Sequence, residues 1–332
     1  MEIDGSFGEG GGQIVRTAVA LAAVTETPIR ITRIRQGRPK PGLAPQHVQA
    51  ILAMAKICSA KIAGVSPGSA EIVFEPGRIA SGNYGIDIGT AGSIPLLMQC
   101  LLPAMIKSDG PITLMVTGGT DVRWSPTIDY FKNVFLPALG EFGAQVRLEC
   151  RKRGYYPRGG GLVIFTVNPG KLKPAHLKPQ KLGIVEGVSH CSNLPDHVAR
   201  RQAESATRAL KDAVYDSKVS MEVLKETSTG SGITLWSGHK GGSALGERGI
   251  RAEDVGKAAA EEIMAELASP AAVDVHLADQ LIPYLALAGG SYTVRQISKH
   301  ARTNIWTASR FLDTKIDFED EGVLRIQGRF GQ

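Results

Sequence analysis

Two stretches of the chain repeat one pattern of apolar and polar positions. EIDGSFGEGGGQIVRTAVALAAVTETPIRI, residues 2–31, aligns without a gap with GIDIGTAGSIPLLMQCLLPAMIKSDGPITL, residues 85–114. Asp4 then pairs with Asp87 and Pro28 with Pro111, both 83 residues apart. Each copy combines a short strand, a Gly-containing turn, an apolar helix and a β-branched strand. The pattern indicates a duplicated structural unit.

Both copies continue in the same way, and a third copy follows near the end of the chain. Apolar residues at spacings of three and four predict a helix over residues 44–58, before strands that end near Pro76. SPTIDYFKNVFLPALGEFG predicts the matching helix in the second copy, before strands that end near Pro169. The third copy is shorter, with helices predicted over 273–288 and 303–313 and a closing hairpin over 315–328.

The stretch between the second and third copies has a different pattern. PGKLKPAHLKPQK, residues 169–181, is typical of a linker. Beyond it, ITLWSG predicts a strand, and two sets of apolar positions predict amphipathic helices. These sets are Ala199, Ala203, Ala206, Leu210 and Ala213, and Val255, Ala259, Ile263 and Leu267.

These patterns together predict an α+β fold with α/β layers. Three repeated βαβαββ units form a large domain over residues 1–177 and 273–332, and residues 178–272 form a smaller inserted α/β domain. A chain of 332 residues, 43% hydrophobic and 21% charged, is long enough for this arrangement and has an ordinary globular composition.

Composition excludes several classes of protein. The longest apolar stretch, Ile94 to Ile106, is too short to cross a bilayer, and no leader pattern precedes it. The four cysteines form no CxxC pair, which favours reduced core thiols over zinc ligands or disulfides. We therefore expect a cytoplasmic protein without a membrane partner.

Basic residues are concentrated in two stretches, although the formal net charge is only +6. Residues 27–70 contain seven Lys and Arg but no Asp or Glu, and RKRGYYPRGGG, residues 151–161, interleaves basic residues with two tyrosines. Basic groups beside aromatic rings suit a phosphate backbone and stacked bases. Charge alone leaves a solvated basic face as the alternative.

The first sixteen residues, MEIDGSFGEGGGQIVR, contain five glycines before an apolar helix. A Gly-rich turn that opens a helix can present free N–H groups to an anion. The spacing fits neither the dinucleotide fingerprint nor the Walker A pattern. A plain strand-to-helix turn therefore stays open on these residues alone.

Seven motifs in order resemble one family, the RNA 3′-terminal phosphate cyclases. They are GEGGGQIVR, IRQGRPKPGLAPQH, IGTAGS, GGTD, RGYYPRGGG, HLADQL and KHARTN, at residues 8–16, 34–47, 88–93, 118–121, 153–161, 276–281 and 299–304. The resemblance covers essentially the whole chain, and that family is built from repeated βαβαββ units with a small inserted domain.

The resemblance implies a three-step reaction that uses ATP. A histidine is adenylylated with release of pyrophosphate, AMP moves to the 3′-phosphate of an RNA end, and the neighbouring 2′-hydroxyl displaces AMP to form a 2′,3′-cyclic phosphate. The covalent intermediate divides one difficult step into easier ones. Cyclisation gains from the proximity of the 2′-hydroxyl.

The resemblance also implies roles for particular residues. His300 in KHARTN is the expected nucleophile; Lys299 and Arg302 are expected to disfavour its imidazolium form, and Thr303 and the following helix to place N–H groups near phosphates. Predicted ATP contacts are Gln99, Pro126, His276, Leu277, Ala278, Asp279 and Gln280. Predicted contacts to the RNA phosphate are Arg16, Arg35, Arg38, Lys40, Gln46 and His47.

Two of these assignments carry alternatives. Glu9 is expected to help hold a divalent metal, Mg²⁺ or Mn²⁺, but an acid in the first turn of a helix is also favoured by the helix dipole. His276 stands where many family members have a tyrosine, which puts base stacking there in doubt.

Other functions are compatible with parts of the sequence. A cyclase-like ribosome-assembly factor would lack the nucleophile, whereas His300 is present. Enolpyruvyl transferases use similar repeats, but about twice as many and without an insertion. A pure RNA-binding protein would explain the basic stretches but not HLADQ together with KHARTN. RNA 3′ ends are the expected partner, and a homo-oligomer is left open.

Overall fold

The first unit of the fold is a four-stranded sheet with two helices. In the computed structural model, which describes residues 1–181, 183–320 and 324–330, its strands follow the order β1-β2-β4-β3. β1 and β2 are parallel, with Ile3 opposite Ile31, while β3 and β4 are antiparallel. The elements are β1 (Glu2–Asp4), α1 (Gly12–Thr25), β2 (Ile29–Thr32), α2 (Pro45–Cys58), β3 (Lys61–Ala63) and β4 (Ile72–Glu75).

The second unit repeats this arrangement. Its strand order is β5-β6-β8-β7, and β5 and β6 are parallel. Its second helix is interrupted by a π-helical turn, Phe131–Phe135. The other elements are β5 (Gly82–Asp87), α3 (Ile94–Ile106), β6 (Ile112–Gly118), α4 (Ile128–Tyr130), α5 (Leu136–Glu141), β7 (Gln145–Lys152) and β8 (Gly161–Asn168).

The inserted segment has its own sheet and core. After the two-residue strand β9 (Ala175–His176), its strand order is β11-β10-β12-β13, different from the other sheets. Val185, Ile233 and Ile263 belong to a separate apolar cluster. The elements are β10 (Val185–Ser192), α6 (His197–Asp212), β11 (Ser217–Leu224), β12 (Gly230–Ser237), β13 (Lys240–Leu245) and α7 (Ala252–Leu267).

The third unit has the order β9-β14-β16-β15, which matches the first two. Its first strand, β9, pairs in parallel with β14 across the inserted segment, with Ala175 opposite Gly290. The other elements are α8 (Val275–Ala288), β14 (Gly290–Val294), α9 (Lys299–Ser309), β15 (Thr314–Asp320) and β16 (Leu324–Phe330). Residues 321–323 of the predicted hairpin lie outside the described residues.

The predicted fold class is confirmed, with three units of the same strand order and a further α/β segment. The sequence interpretation differs at β9, which lies within the stretch read as a linker. Two residues are too few to show the alternation by which a strand is identified. The domain limits themselves stay a prediction.

One predicted helix has other bounds, and one predicted apolar face is shorter. α9 begins at Lys299 rather than near Thr303, because Ser298 caps it. On α6, Ala199, Ala203, Ala206 and Leu210 are buried, but Ala213 follows the helix and is exposed.

The cysteines agree with the expectation of core thiols. All four are free; Cys58, Cys100 and Cys191 are buried, and Cys150 is half-buried. Among the described residues, no helix combines the length and apolar character needed to cross a bilayer.

Candidate active site

The Gly-rich turn of the first unit lies against side chains from two other helices. Gly8 and Gly10 have φ of +60° and +55°, in the left-handed region that favours glycine. A Cβ atom at Gly12 would lie 1.9 Å from His47 Nε2 of α2, and one at Gly8 would lie 2.6 Å from Thr303 Oγ1 of α9. The glycines therefore let α2 and α9 pack closely against the turn that opens α1.

His300 lies in the first turn of α9. Ser298 caps this helix by accepting a hydrogen bond from Ala301 N at 3.0 Å, and its hydroxyl donates to Asp279 of α8. Thr303 is buried inside the helix, where its hydroxyl donates to Lys299 O at 2.8 Å. The helix therefore starts before Thr303, not after it: α9 begins at Lys299, so the N–H groups of its first turn lie around His300.

The imidazole of His300 faces the carboxylate of Glu9. His300 Nδ1 lies 2.7 Å from Glu9 Oε2, and 47% of the His300 side chain is exposed. A proton on Nδ1, directed at this carboxylate, leaves the lone pair on Nε2. The two residues come from α9 and the Gly-rich turn, 291 positions apart in sequence.

The pKa of His300 is lowered from its ordinary value. Burial is the largest cause, the positive charges of Arg16, His276 and Arg38 act in the same direction, and Glu9 opposes them. The imidazole is therefore neutral at pH 7, as expected. The direction of the shift agrees with the sequence prediction, while a contribution from Lys299 and Arg302 stays a prediction.

Glu9 lies between two cationic or potentially cationic groups. Its Oε2 is 3.7 Å from Arg38 Nη2 as well as close to His300. This oxygen is buried and makes no hydrogen bond of good geometry to any described residue. One carboxylate oxygen fits a Mg²⁺ or Mn²⁺ ion that takes its other ligands from substrate phosphates.

The side chains of Arg16 and His47 belong to a basic surface beside His300. Burial lowers the pKa of Arg16 to about 10, so this guanidinium keeps its charge at neutral pH. Burial and the charges of Arg16 and Arg35 lower the pKa of His47 to about 3, so this imidazole is neutral. Its Nδ1 accepts from Ala44 N at 3.1 Å, which leaves the proton on Nε2, facing Gly12.

The other predicted phosphate ligands differ in their neighbours and in their exposure. The guanidinium of Arg38 lies close to Gly11: a Cβ atom added at Gly11 would be 3.1 Å from Arg38 Nη2. Arg35 Nη1 donates to Gly42 O at 2.9 Å, and Lys40 is exposed. Gln46 packs against Gly92 of the second unit, whose Cβ would lie 3.3 Å from the Gln46 Cβ.

The predicted ATP contacts on α8 fall into two groups. His276 is exposed, with Nε2 at 3.5 Å from Glu262 Oε1, and this carboxylate raises the pKa of His276. Leu277 and Ala278 lie in the apolar core, so their side chains do not support a nucleotide contact. Asp279 and Gln280 are also buried, and burial raises the pKa of Asp279 to about 7.

Gln99 and Pro126 belong to the second unit. Both are half-buried, Gln99 within α3 and Pro126 in the loop before α4. α3 packs against α1, the helix that carries Arg16. The structure therefore places Gln99 and Arg16 on neighbouring equivalent helices, while their roles as ligands stay predictions.

Sequence reasoning missed two buried hydrogen bonds that hold α9 against α1 and α8. Thr17 Oγ1 donates to Asn304 Oδ1 at 2.7 Å, and Asn304 Nδ2 donates to Asp279 O at 2.9 Å. These bonds join α1, α8 and α9 directly behind the candidate site. The polar residue Asn304 at the end of KHARTN was the available signal.

Comparison with known proteins agrees with this architecture. The sequence model of the family described as RNA 3′-terminal phosphate cyclase matches residues 7–318. Proteins named RNA 3′-terminal phosphate cyclase are similar in Methanosarcina mazei (52% identity, 98% of this chain and 99% of the relative) and Archaeoglobus fulgidus (53%, 98% and 99%). The protein of that name in Pyrococcus furiosus is 45% identical, over 98% of both chains. The chain belongs to the RNA 3′-terminal phosphate cyclase family.

Proposed function

We propose that this protein converts the 3′-phosphate of an RNA end to a 2′,3′-cyclic phosphate at the expense of ATP. The observation that carries the proposal is the contact of 2.7 Å between His300 Nδ1 and Glu9 Oε2. It lies beside the basic surface that contains Arg16 and His47. Together these features supply a neutral nucleophile and a surface for phosphates. Membership of the family supports the same activity.

The first step is attack of His300 Nε2 on the α-phosphorus of ATP. A P–N bond forms, the bond to the bridging oxygen breaks, and pyrophosphate leaves. The carboxylate of Glu9, 2.7 Å from Nδ1, would stabilise the positive charge that develops on the ring. The lowered pKa of His300 keeps Nε2 unprotonated at neutral pH.

The second and third steps transfer AMP and close the ring. An oxygen of the RNA 3′-phosphate attacks the phosphorus on His300, and the P–N bond breaks. The 2′-hydroxyl then attacks the 3′-phosphorus, loses its proton and expels AMP. Arg16 and Arg38 would offer positive charge to the RNA phosphate, and His47 Nε2–H would offer a neutral donor.

Glu9 is the residue that would hold the divalent metal, in company with the phosphates of ATP. Such an ion would neutralise charge on those phosphates and favour departure of pyrophosphate. Glu9 can serve this role and the contact with His300 together, because a carboxylate offers two oxygens.

The direct test uses an RNA oligonucleotide with a 3′-phosphate, ATP and Mg²⁺ or Mn²⁺. We expect a phosphatase-resistant end and release of AMP and pyrophosphate. The same oligonucleotide with a 2′-deoxy terminal residue lacks the attacking hydroxyl, so the RNA-adenylate should accumulate instead. RNA that binds but stays phosphatase-sensitive would contradict the proposal and favour the non-catalytic assembly factor.

A further inference from the structure

A second cluster of ionisable groups lies away from His300, where the second unit meets the inserted segment. It combines Asp121 and Asp129 from the second unit with His190 from β10. All three side chains are buried or nearly so, and one ligand atom from each lies within 4.8 Å of the others.

Two buried atoms of this cluster, Asp121 Oδ1 and His190 Nε2, lack hydrogen bonds to the described part of the chain. His190 Nε2 is fully buried and points at Asp121 Oδ1 from 3.6 Å, beyond hydrogen-bond distance. Asp129 Oδ2, the third atom of the cluster, has Arg153 Nη1 as its neighbour. Buried polar atoms normally find partners, so two unsatisfied atoms that face each other beside a further carboxylate indicate a missing ligand.

The charges of the cluster do not balance. Arg153 Nη1 lies 2.8 Å from Asp129 Oδ2 and 3.3 Å from Asp121 Oδ2, and its Nη2 lies 2.8 Å from Glu222 Oε2. One guanidinium therefore faces three carboxylates. Glu222 is partly exposed, with 44% of its side chain accessible, whereas Asp121 and Asp129 are buried. With His190 neutral, the buried groups keep one negative charge in excess of Arg153, which is costly without a further cation.

His190 is oriented as a metal-ligating histidine usually is. Its Nδ1 lies 2.7 Å from the hydroxyl of Tyr155, which comes from RGYYPRGGG. If Nδ1 donates to this hydroxyl, the lone pair of Nε2 faces the two carboxylates. A ligating histidine commonly donates its other N–H in this way.

We propose that Asp121, Asp129 and His190 bind a divalent transition-metal ion that joins the second unit to the inserted segment. One imidazole and two carboxylates suit Zn²⁺, Mn²⁺ or Co²⁺. A divalent ion would offset the excess negative charge and give Asp121 Oδ1 and His190 Nε2 a partner. This site does not depend on the proposed activity, because it shares no residue with the surroundings of His300.

Cobalt binding tests the proposal directly. The full chain, without an affinity tag and stripped with EDTA, is titrated with Co²⁺ and followed by the visible absorption of the ion. We expect stoichiometric binding by wild type, and loss of the signal in Asp121→Asn and His190→Gln. Tyr155→Phe should weaken binding by roughly 10- to 100-fold, because it removes the partner of the ligating ring.

Two control variants separate this site from other sources of binding. Glu9→Ala removes the candidate ligand at the active site, and Glu222→Gln removes a carboxylate that contacts Arg153 but is not a proposed ligand. Both should keep the cobalt signal. Wild type that binds no cobalt after EDTA treatment would overturn the proposal without relying on any variant, as would a signal lost only in Glu9→Ala.

Discussion

At the scale of single residues, Glu9 has a part that its sequence position did not reveal. It was assigned to a metal or to the dipole of α1, yet its carboxylate lies against His300 Nδ1. The motifs identified both residues, but a contact between residues 9 and 300 depends on the packing of α9 on α1. Pairing at this distance in sequence cannot be read from one chain.

The pH dependence of adenylylation tests the charges around His300. Attack requires the neutral imidazole, whose pKa is lowered, so the rate should stay level through pH 7 and fall only in more acidic solution. Arg38→Ala removes a positive charge, so the acid limb should move to higher pH. Glu9→Gln removes a negative charge, and the limb should move to lower pH.

The measurement is the initial rate of label transfer from ATP to the protein, without RNA, over a common pH range and at saturating metal. Titration of ATP affects all three proteins equally and cancels in the comparison. Shifts of the same sign in both variants would contradict the account.

At the scale of elements, close approach between helices explains why the chain needs glycine at its first turn. The structure shows a strand-to-helix turn at this stretch, beside cationic side chains, while contact of the turn with an anion stays a prediction. The sequence predicted α1 and α2 well because their apolar stripes are long. It misplaced the start of α9, because the Ser298 cap has no apolar pattern to mark it.

Gly12→Ala tests this close approach. The added Cβ would lie 1.9 Å from His47 Nε2, so α2 must move. We expect a loss of about 1–3 kcal/mol in the free energy of unfolding and a fall in adenylylation of up to about 100-fold. Urea denaturation and the labelling rate measure the two effects.

Gly37→Ala is the matched control for stability. It also lies in the first unit, but a Cβ atom there would have nothing within 4 Å. Equal destabilisation by the two changes would show that loss of glycine flexibility, rather than contact with His47, matters.

At the scale of the whole molecule, the three like sheets were predictable and the junction with the inserted segment was not. An internal repeat reveals units that share a pattern, and the strand order of the third sheet follows from the first two. β9 escaped detection because it has two residues. Arg153 lies in the motif most specific to the family, yet its buried partners come from elements far apart in sequence.

Arg153→Met tests how strongly this junction contributes to stability. The change leaves Asp121 and Asp129 buried without their guanidinium partner. We expect the free energy of unfolding to fall by about 3–5 kcal/mol. Urea denaturation followed by circular dichroism measures it.

Arg208→Met is the control for this change, because Arg208 is exposed on α6. Its effect should stay within about 0.5 kcal/mol. A comparable small effect for Arg153→Met would show that the ion pairs of the junction contribute little to stability.

The central claim is that His300 becomes covalently adenylylated. Wild type, His300→Ala and His176→Ala, a change at an exposed histidine of β9, are incubated with α-labelled ATP and metal and then denatured. The account predicts acid-labile, alkali-stable label on wild type and His176→Ala and none on His300→Ala. Label of equal amount on His300→Ala would contradict it.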